Sequence, residues 1–353
     1  MKTIKEALHS GTIKENDKSP FIIAEMSGNH NGSLDYALKI VDSAAASGAD
    51  AIKLQTFTPN SMTIDHDGND FKVTNPKSIW FGRKLYDLYD EAQTPKEWHI
   101  EIFKRAKEKG IFAFSSAFDE SSVDFLETLN VPAYKIASFE STDLPLIRYA
   151  ANTGKPLIIS TGMATVSEIE SAVEAALDSG CKQLTVLKCT SSYPAPVEHA
   201  NLATIPHMKE LFKCEAGLSD HTMGIGVAIA STVLGASVIE KHFILSRSHG
   251  GIDSEFSMEP HELKMLVEGC KAAVSSIGEV QYGPTEAEIS GREKRRSIYI
   301  VQDVKKGDTF TNTNVQRIRP GKGLSPRHYN NIIGKKAVKD IIRGTPLSWN
   351  LID

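Results

Sequence analysis

Two histidines stand at the ends of consecutive β-forming runs, His221 after Glu215-Ala216-Gly217-Leu218-Ser219-Asp220 and His242 after Ser237-Val238-Ile239-Glu240-Lys241. Neighbouring strands would set these imidazoles side by side, an arrangement suited to a divalent metal, although each histidine alone would serve equally as a satisfied polar residue. Glu25 and Glu240 could add carboxylate or water-mediated contacts, giving a mixed nitrogen and oxygen site for Mn2+, Mg2+ or a similar ion, whose open positions would polarise a carbonyl. Other polar residues recur late in short apolar runs: Lys53 with Gln55, Ser115 with Ser116, Lys135 with Ser138 and Glu140, Ser160 with Thr161, Lys188 with Thr190, and Ser219 with Asp220. For one lysine a salt bridge to a neighbouring carboxylate is explanation enough. Several lysines and hydroxyls at one place instead suit a phosphate or carboxylate, whose water they would replace. Cys189 also ends a run, but no base is fixed beside it by sequence, so it is read as structural.

These residues need elements that bring them together. Short β-forming runs recur at intervals of roughly 20 to 30 residues with mostly helical apolar spacing between them. They are Phe21 to Glu25, Ala51 to Gln55, Ile111 to Ser115, Ala133 to Ala137, Pro156 to Thr161, Leu184 to Cys189, Glu215 to Ser219 and Ser237 to His242. Helical patterns occupy Pro95 to Lys109, Glu120 to Leu129, Leu144 to Thr153, Val166 to Ser179 and His261 to Ile277. Another follows Ser33, a plausible N-cap, and ends at Gly48. This alternation predicts a (β/α)8 barrel, in which polar residues late in each strand converge on one mouth. An open doubly wound sheet would want a G-x-G-x-x-G turn after the first strand, which Ser27-Gly28-Asn29-His30-Asn31-Gly32 does not supply. The connection from Thr56 to Thr94 is far longer than a usual βα loop and carries Trp80, Phe81, Tyr86 and Tyr89, so it is expected to be ordered over a site. Residues 1–280 read as the barrel domain, 281–296 as a polar linker, and 297–353 as a small β-rich domain.

The chain has 353 residues, 41% hydrophobic and 24% charged, which fits folded domains. It holds no apolar stretch of about 18 residues, and Met1 to Lys18 is polar rather than leader-like, so a cytoplasmic protein without a membrane partner is expected. Cys181, Cys189, Cys214 and Cys270 lack C-x-x-C spacing and read as reduced thiols. A net charge of −4 gives no pull toward nucleic acid, and Lys294-Arg295-Arg296 reads as part of the solvated linker.

Ile23-Ala24-Glu25-Met26 with Asn29-His30-Asn31-Gly32, Ala49-Asp50-Ala51-Ile52-Lys53-Leu54-Gln55, Tyr134-Lys135-Ile136-Ala137-Ser138, Ser160-Thr161-Gly162-Met163, Gly217-Leu218-Ser219-Asp220-His221-Thr222 and Glu240-Lys241-His242-Phe243 together resemble the sialic acid synthase family. Arg319-Pro320-Gly321 and Gly344-Thr345-Pro346-Leu347 are similar to the antifreeze-like (SAF) domain that closes these enzymes. The resemblance covers nearly the whole chain and implies a (β/α)8 TIM barrel followed by a SAF domain. It also implies condensation of phosphoenolpyruvate with an amino-sugar aldehyde. Asn75-Pro76-Lys77-Ser78-Ile79-Trp80, Leu85-Tyr86-Asp87-Leu88-Tyr89, Glu91-Ala92-Gln93-Thr94-Pro95 and Glu97-Trp98-His99 resemble the pseudaminic acid synthase branch, whose sugar is a diacetamido-trideoxyhexose. N-acetylneuraminate or legionaminate synthesis is the alternative within the family.

At matching positions the resemblance implies that Lys53, Ser116, Lys135, Ser138, Ser160, Ser191 and Ser219 bind phosphoenolpyruvate and that His221 and His242 hold the metal. Gln55, Glu140, Tyr193 and Asp253 would face the sugar, and Arg319 would reach it from the partner's SAF domain in a domain-swapped homodimer. Ser116 stands where the family usually has Thr, and Ser191 where it has Asn. Glu25 is the candidate for handling the water or the hemiketal proton. Rival chemistries are a Schiff-base aldolase using Lys135 or Lys188, and a keto-sugar synthase acting on a sugar phosphate. A carbohydrate-binding module on an inert barrel would leave the polar strand ends unexplained.

Overall fold

The computed structural model describes residues 19–353 apart from Lys77. The polar N-terminus Met1 to Lys18, and Lys77 of the branch motif, lie outside the described residues. Two compact units divide between Gly278 and Glu279.

The first unit is the closed barrel expected from the βα alternation. Its strands are β1 (Phe21–Glu25), β2 (Ala51–Thr56), β3 (Phe112–Ala117), β4 (Tyr134–Ile136), β5 (Leu157–Ser160), β6 (Leu184–Cys189), β7 (Glu215–Ser219) and β8 (Val238–His242). All pair in parallel, and β8 returns to β1 with Glu25 opposite His242. The strands alternate strictly, as a pleated chain must. Ile22, Ala24, Ile52, Leu54, Ile136 and Ile159 pack outward among the helices. Phe21, Ile23, Ala51, Phe114, Ala133, Ile158, Leu187 and Val238 form a separate cluster inside the barrel. Gly217 completes that interior: a Cβ there would lie 2.8 Å from Leu187 Cδ2 and against the Val238 carbonyl, so the packing leaves no room for a side chain.

The helix Leu34–Ala46 begins at Ser33, whose side chain accepts from the Tyr36 amide. Two helices escape periodicity reading. Gly226–Val233 is apolar or small on every side, so it shows no amphipathic stripe, and Thr204–Phe212 carries Pro206 in its first turn. The long connection is ordered and holds helices Pro59–Met62 and Leu85–Ala92 with a 3-10 turn at Asn69–Phe71. The polar stretch after Gly278 includes a 3-10 helix, Glu286–Lys294, where a linker was expected.

In the second unit β9 (Ser297–Ile300) pairs antiparallel with β10 (Val315–Ile318). Ile298, Ile300, Val304, Phe310, Val315, Ile332, Ala337, Ile341, Leu347 and Leu351 form its own core.

Candidate active site

One strand step above the apolar plug the inward residues turn polar. Ile23 is followed by Glu25, Ala51 by Lys53, Phe114 by Ser116, Ala133 by Lys135, Ile158 by Ser160, Leu187 by Cys189, Gly217 by Ser219 and Val238 by Glu240. These eight polar groups line a cavity of about 370 Å3. Gln55, Ser138, Glu140, Ser191, Tyr193, His221, His242 and Asp253 line it too.

The floor is a buried lattice of charge. Lys53 Nζ lies 2.6 Å from Glu25 Oε2 and 3.7 Å from Glu240 Oε1, and donates to Ser116 Oγ at 2.9 Å. Lys135 Nζ lies 3.8 Å from Glu240 Oε1 and donates to Ser160 Oγ at 2.7 Å. Gln55 Nε2 donates to Glu25 Oε1 at 2.8 Å, and the Ser138 and Ser191 hydroxyls are 2.8 Å apart. The Ser191 hydroxyl is thus held by Ser138 at the edge of the cavity. Burial raises the Glu25 carboxyl above the usual range in spite of Lys53. Burial would raise Glu240 too, but Lys135 and Lys53 outweigh it and hold this carboxyl low. Burial lowers Lys135, whereas at Lys53 the same effect is outweighed by Glu240 and Glu25, which push it up. Burial and the lysines thus push two neighbouring carboxyls in opposite directions, Glu25 up and Glu240 down.

His221 and His242 sit side by side with ring centroids 5.3 Å apart. Tyr193 packs 4.4 Å from His221, and Phe256 lies 4.9 Å from His242. His221 Nδ1 is 3.0 Å from the Thr190 carbonyl; a carbonyl only accepts, so Nδ1 carries a proton, and in the neutral ring Nε2 is then the nitrogen that would face a metal. His242 Nδ1 makes no hydrogen bond and lies 3.5 Å from Asp253 Oδ2, which accepts from the Ser27 hydroxyl. Two imidazoles, one backed by a carbonyl, fit a divalent ion. Glu25 and Glu240, expected to add carboxylate or water-mediated contacts, lie against the lysines, with Glu240 Oε2 left without a hydrogen-bond partner. Among the described residues no group of three His, Cys, Asp or Glu side chains gathers as a metal cage, so water or substrate would complete the coordination.

His221 Nδ1 lies 3.9 Å from the Cys189 sulfur. That nitrogen's proton is directed at Thr190, so the thiol gains no acceptor there.

The wall comes from the long connection: Phe57, Met62, Val73, Trp80, Leu85, Leu88, Tyr89 and Ala92. Trp80 Nε1 donates to the Ile252 carbonyl at 3.2 Å, and its ring lies 5.9 Å from Tyr193. The two ends of the connection meet where Thr56 Oγ1 donates to His99 Nε2 at 2.8 Å, the other ring nitrogen donating to the Pro95 carbonyl at 3.1 Å.

Several residues predicted at the mouth lie one strand step out of phase and face away. Lys241 pairs with Asp220 at 2.8 Å, Ser115 bonds Thr56 at 2.7 Å, and Thr161 donates to the Leu187 carbonyl at 3.1 Å. Lys188 donates to the Cys189 carbonyl at 2.9 Å and to Thr190 Oγ1 at 3.2 Å, which leaves Lys135 as the lysine a Schiff-base reading would need. Arg319 belongs to the second unit, directly after β10. Sequence reasoning missed Ser27, although it is the next inward step after Glu25, and missed most of the apolar wall, for which no periodic signal exists.

The NeuB family model matches residues 40–282, and the SAF domain model matches residues 295–353. The chain belongs to the NeuB family. The family resemblance carried by the strand-end motifs and the tail is borne out. Among NeuB-related proteins, the pseudaminic acid synthase of Campylobacter jejuni is 45% identical over 94% of this chain and 96% of its own. The pseudaminic acid synthase of Helicobacter pylori is 42% identical over 95% and 98%. The crystal structure of N-acetylneuraminic acid (sialic acid) synthetase from Leptospira borgpetersenii, in complex with citrate, matches with a TM-score of 0.69 at 32% identity, covering 80% of this chain and 93% of that one.

Proposed function

We propose that the chain is a transferase that condenses phosphoenolpyruvate with 2,4-diacetamido-2,4,6-trideoxy-β-L-altropyranose and water, giving pseudaminic acid and phosphate. The observation that carries this reading is the two-faced cavity, with lysines and serines below and aromatic and aliphatic groups above, in a chain 45% identical to a pseudaminic acid synthase. Lys53, Lys135 and the serines at 116, 138, 160, 191 and 219 bind the phosphate and carboxylate and hold the enol carbon within reach of the aldehyde. A carbon–carbon bond forms between that enol carbon and the aldehyde carbon. Water adds to the phosphate-bearing carbon, its carbon–oxygen bond breaks, and phosphate leaves with the electron pair. Glu25, raised by burial, exchanges the proton of the water or of the hemiketal hydroxyl. Gln55, Glu140, Tyr193 and Asp253 orient the sugar, and Trp80, Leu85, Leu88 and Tyr89 suit its methyl and second acetamido group. His221 and His242 would hold Mn2+, Mg2+ or a similar ion, which when bound supplies a Lewis acid for the aldehyde oxygen.

We further propose that the SAF unit completes the partner subunit's site in a domain-swapped homodimer, with Arg319 directed to the sugar. Support comes from the separate core of that unit and from Arg319 on a Pro- and Gly-built turn that presents a planar cation. Among the described residues no helix is long and apolar enough to cross a membrane, and a phosphoenolpyruvate-dependent reaction suits the cytoplasm.

A mass-resolved assay of phosphoenolpyruvate with diacetamido-trideoxyhexoses and N-acetylmannosamine tests the reaction. The altrose is expected to be preferred and activity to vanish on chelation. Equal turnover of N-acetylmannosamine overturns the branch, activity after thorough chelation removes the metal, and borohydride trapping of pyruvate on Lys135 replaces the mechanism. For assembly, mixing Arg319→Ala with Lys53→Ala under subunit exchange should restore partial activity; none despite proven heterodimers refutes the swap.

A further inference from the structure

Ser27 lies two residues past the end of β1, is buried, lines the cavity, and has φ 48°. A side chain in that left-handed region crowds its own backbone, so a residue other than glycine persists there only when its surroundings or its use compensate. Its hydroxyl has a specific partner, the Asp253 Oδ2 carboxylate oxygen. Among the described residues no hydrogen bond is made to Asp253 Oδ1, so this oxygen is left for a ligand.

The same two segments are joined at further points that do not enter the cavity. Asn29 Nδ2 donates to the Phe243 carbonyl at 3.0 Å and to Ser257 Oγ at 2.8 Å, and Asn31 Nδ2 donates to the Gly250 carbonyl at 3.0 Å. Ser257 Oγ in turn donates to the Asp253 carbonyl at 2.6 Å. Trp80 anchors the wall to Ile252, the residue before Asp253. The backbone around Asp253 is therefore secured without Ser27. What Ser27 adds is the orientation of the carboxylate, whose Oδ2 otherwise has His242 Nδ1 as its nearest partner, 3.5 Å away.

We propose that Ser27 is a positioning residue for the sugar side of the reaction: its hydroxyl turns the Asp253 carboxylate so that the free oxygen faces the sugar, and the left-handed backbone is retained for that purpose. The inference rests on the reading of the cavity as an amino-sugar site with Asp253 on the sugar side. The parent's own turnover of the sugar tests that reading, and the ratio of variant to parent tests Ser27, so the two failures are distinct.

The experiment compares Ser27→Gly and Ser27→Ala with the full-length parent, using phosphoenolpyruvate and the amino sugar the parent turns over best. Both variants are expected to lose roughly 10- to 100-fold in kcat/KM for the sugar, the range for a hydrogen bond to a charged group, with KM for phosphoenolpyruvate within about twofold of the parent. Ser27→Gly should melt at or above the parent's temperature because the backbone is relieved, whereas Ser27→Ala keeps the strain, loses the bond and should melt below it. On an Asp253→Asn background, Ser27→Gly should have little further effect on sugar kinetics. Parental sugar kinetics in Ser27→Gly overturn the proposal. Equal loss on both substrates, a melting temperature that falls with activity in the Gly variant, or full additivity with Asp253→Asn would also overturn it, since each marks a general structural role.

Discussion

The floor of the cavity is laid down by strand periodicity and its wall by one connection, and the two differ in almost every physical respect. The floor is ionic, buried and hydrogen-bonded, each group held at a strand end by the register of its neighbours. The wall is apolar and is fastened over the site by the Trp80 indole and, at its base, by the Thr56–His99 bond. Ionic groups locked into a closed barrel suit the invariant part of a reaction, the phosphate and carboxylate. An apolar wall discriminates by shape and gives modest steps in free energy. The floor should therefore determine whether the reaction proceeds, and the wall which sugar is used.

The largest effect is expected from breaking the floor. Lys53→Ala leaves Glu25 and Glu240 without a shared cation in a buried place, which costs about 3–5 kcal/mol in stability. Activity should fall by roughly a thousandfold or more through loss of a charged contact in a water-poor site. Differential scanning calorimetry and phosphoenolpyruvate kinetics check both, and near-parental activity would show that Lys53 is only a counter-ion.

An intermediate effect isolates the base of the wall by pH. His99 and His30 are buried and their pKa values are lowered by that burial to about 4, well below the ordinary 6.5. Unfolded chains bind these protons first, so stability is complete above about pH 6.5 and drains away as pH falls toward 4. At 1.36 kcal/mol per unit, each histidine takes away about 2 kcal/mol between pH 6.5 and 5. Glu240, held low, would lose its stabilising charge only further into acid, whereas Glu25, raised by burial, takes its proton nearer this window and opposes the slope, so the wall is read from the difference between parent and His99 variant. Denaturant unfolding of His99→Gln should show a pH slope shallower by about that amount; an unchanged slope would locate the acid sensitivity elsewhere.

The smallest effect is expected in the wall itself. Trp80→Phe keeps apolar area but loses the bond to Ile252, and it should shift the preference between amino sugars by about 1–3 kcal/mol while leaving phosphoenolpyruvate kinetics near parental. A matching loss on phosphoenolpyruvate would show that wall and floor are one unit.

The same division explains what was legible in the sequence. Lys53, Lys135, Glu25 and the strand-end serines stand out because a charged or hydroxyl residue in an apolar run is costly unless used or paired. Strand phase is harder to read by eye, so Ser115, Asp220, Lys188 and Thr161 are gathered with them although they point the other way. Checking the two-residue step from the inward apolar plug would have removed them and added Ser27. The wall residues obey no period. Phe57, Leu85 and Leu88 look like any loop or helix apolar residue until the chain folds over the mouth. The helix Gly226–Val233 was hidden for the opposite reason, since a segment that is apolar or small all round carries no phase.

The bond between Thr56 and His99 places both ends of the long connection at a fixed, short separation set by the barrel rather than by the connection. A span closed at its base in this way can change length and composition without altering what holds it, because the entropy of loop closure rises only by about 0.6 kcal/mol for each doubling of length. The wall is in this sense a cassette seated on a socket that the barrel builds. Grafting another family member's segment between these two residues is accordingly a direct route to moving sugar preference from one enzyme to another.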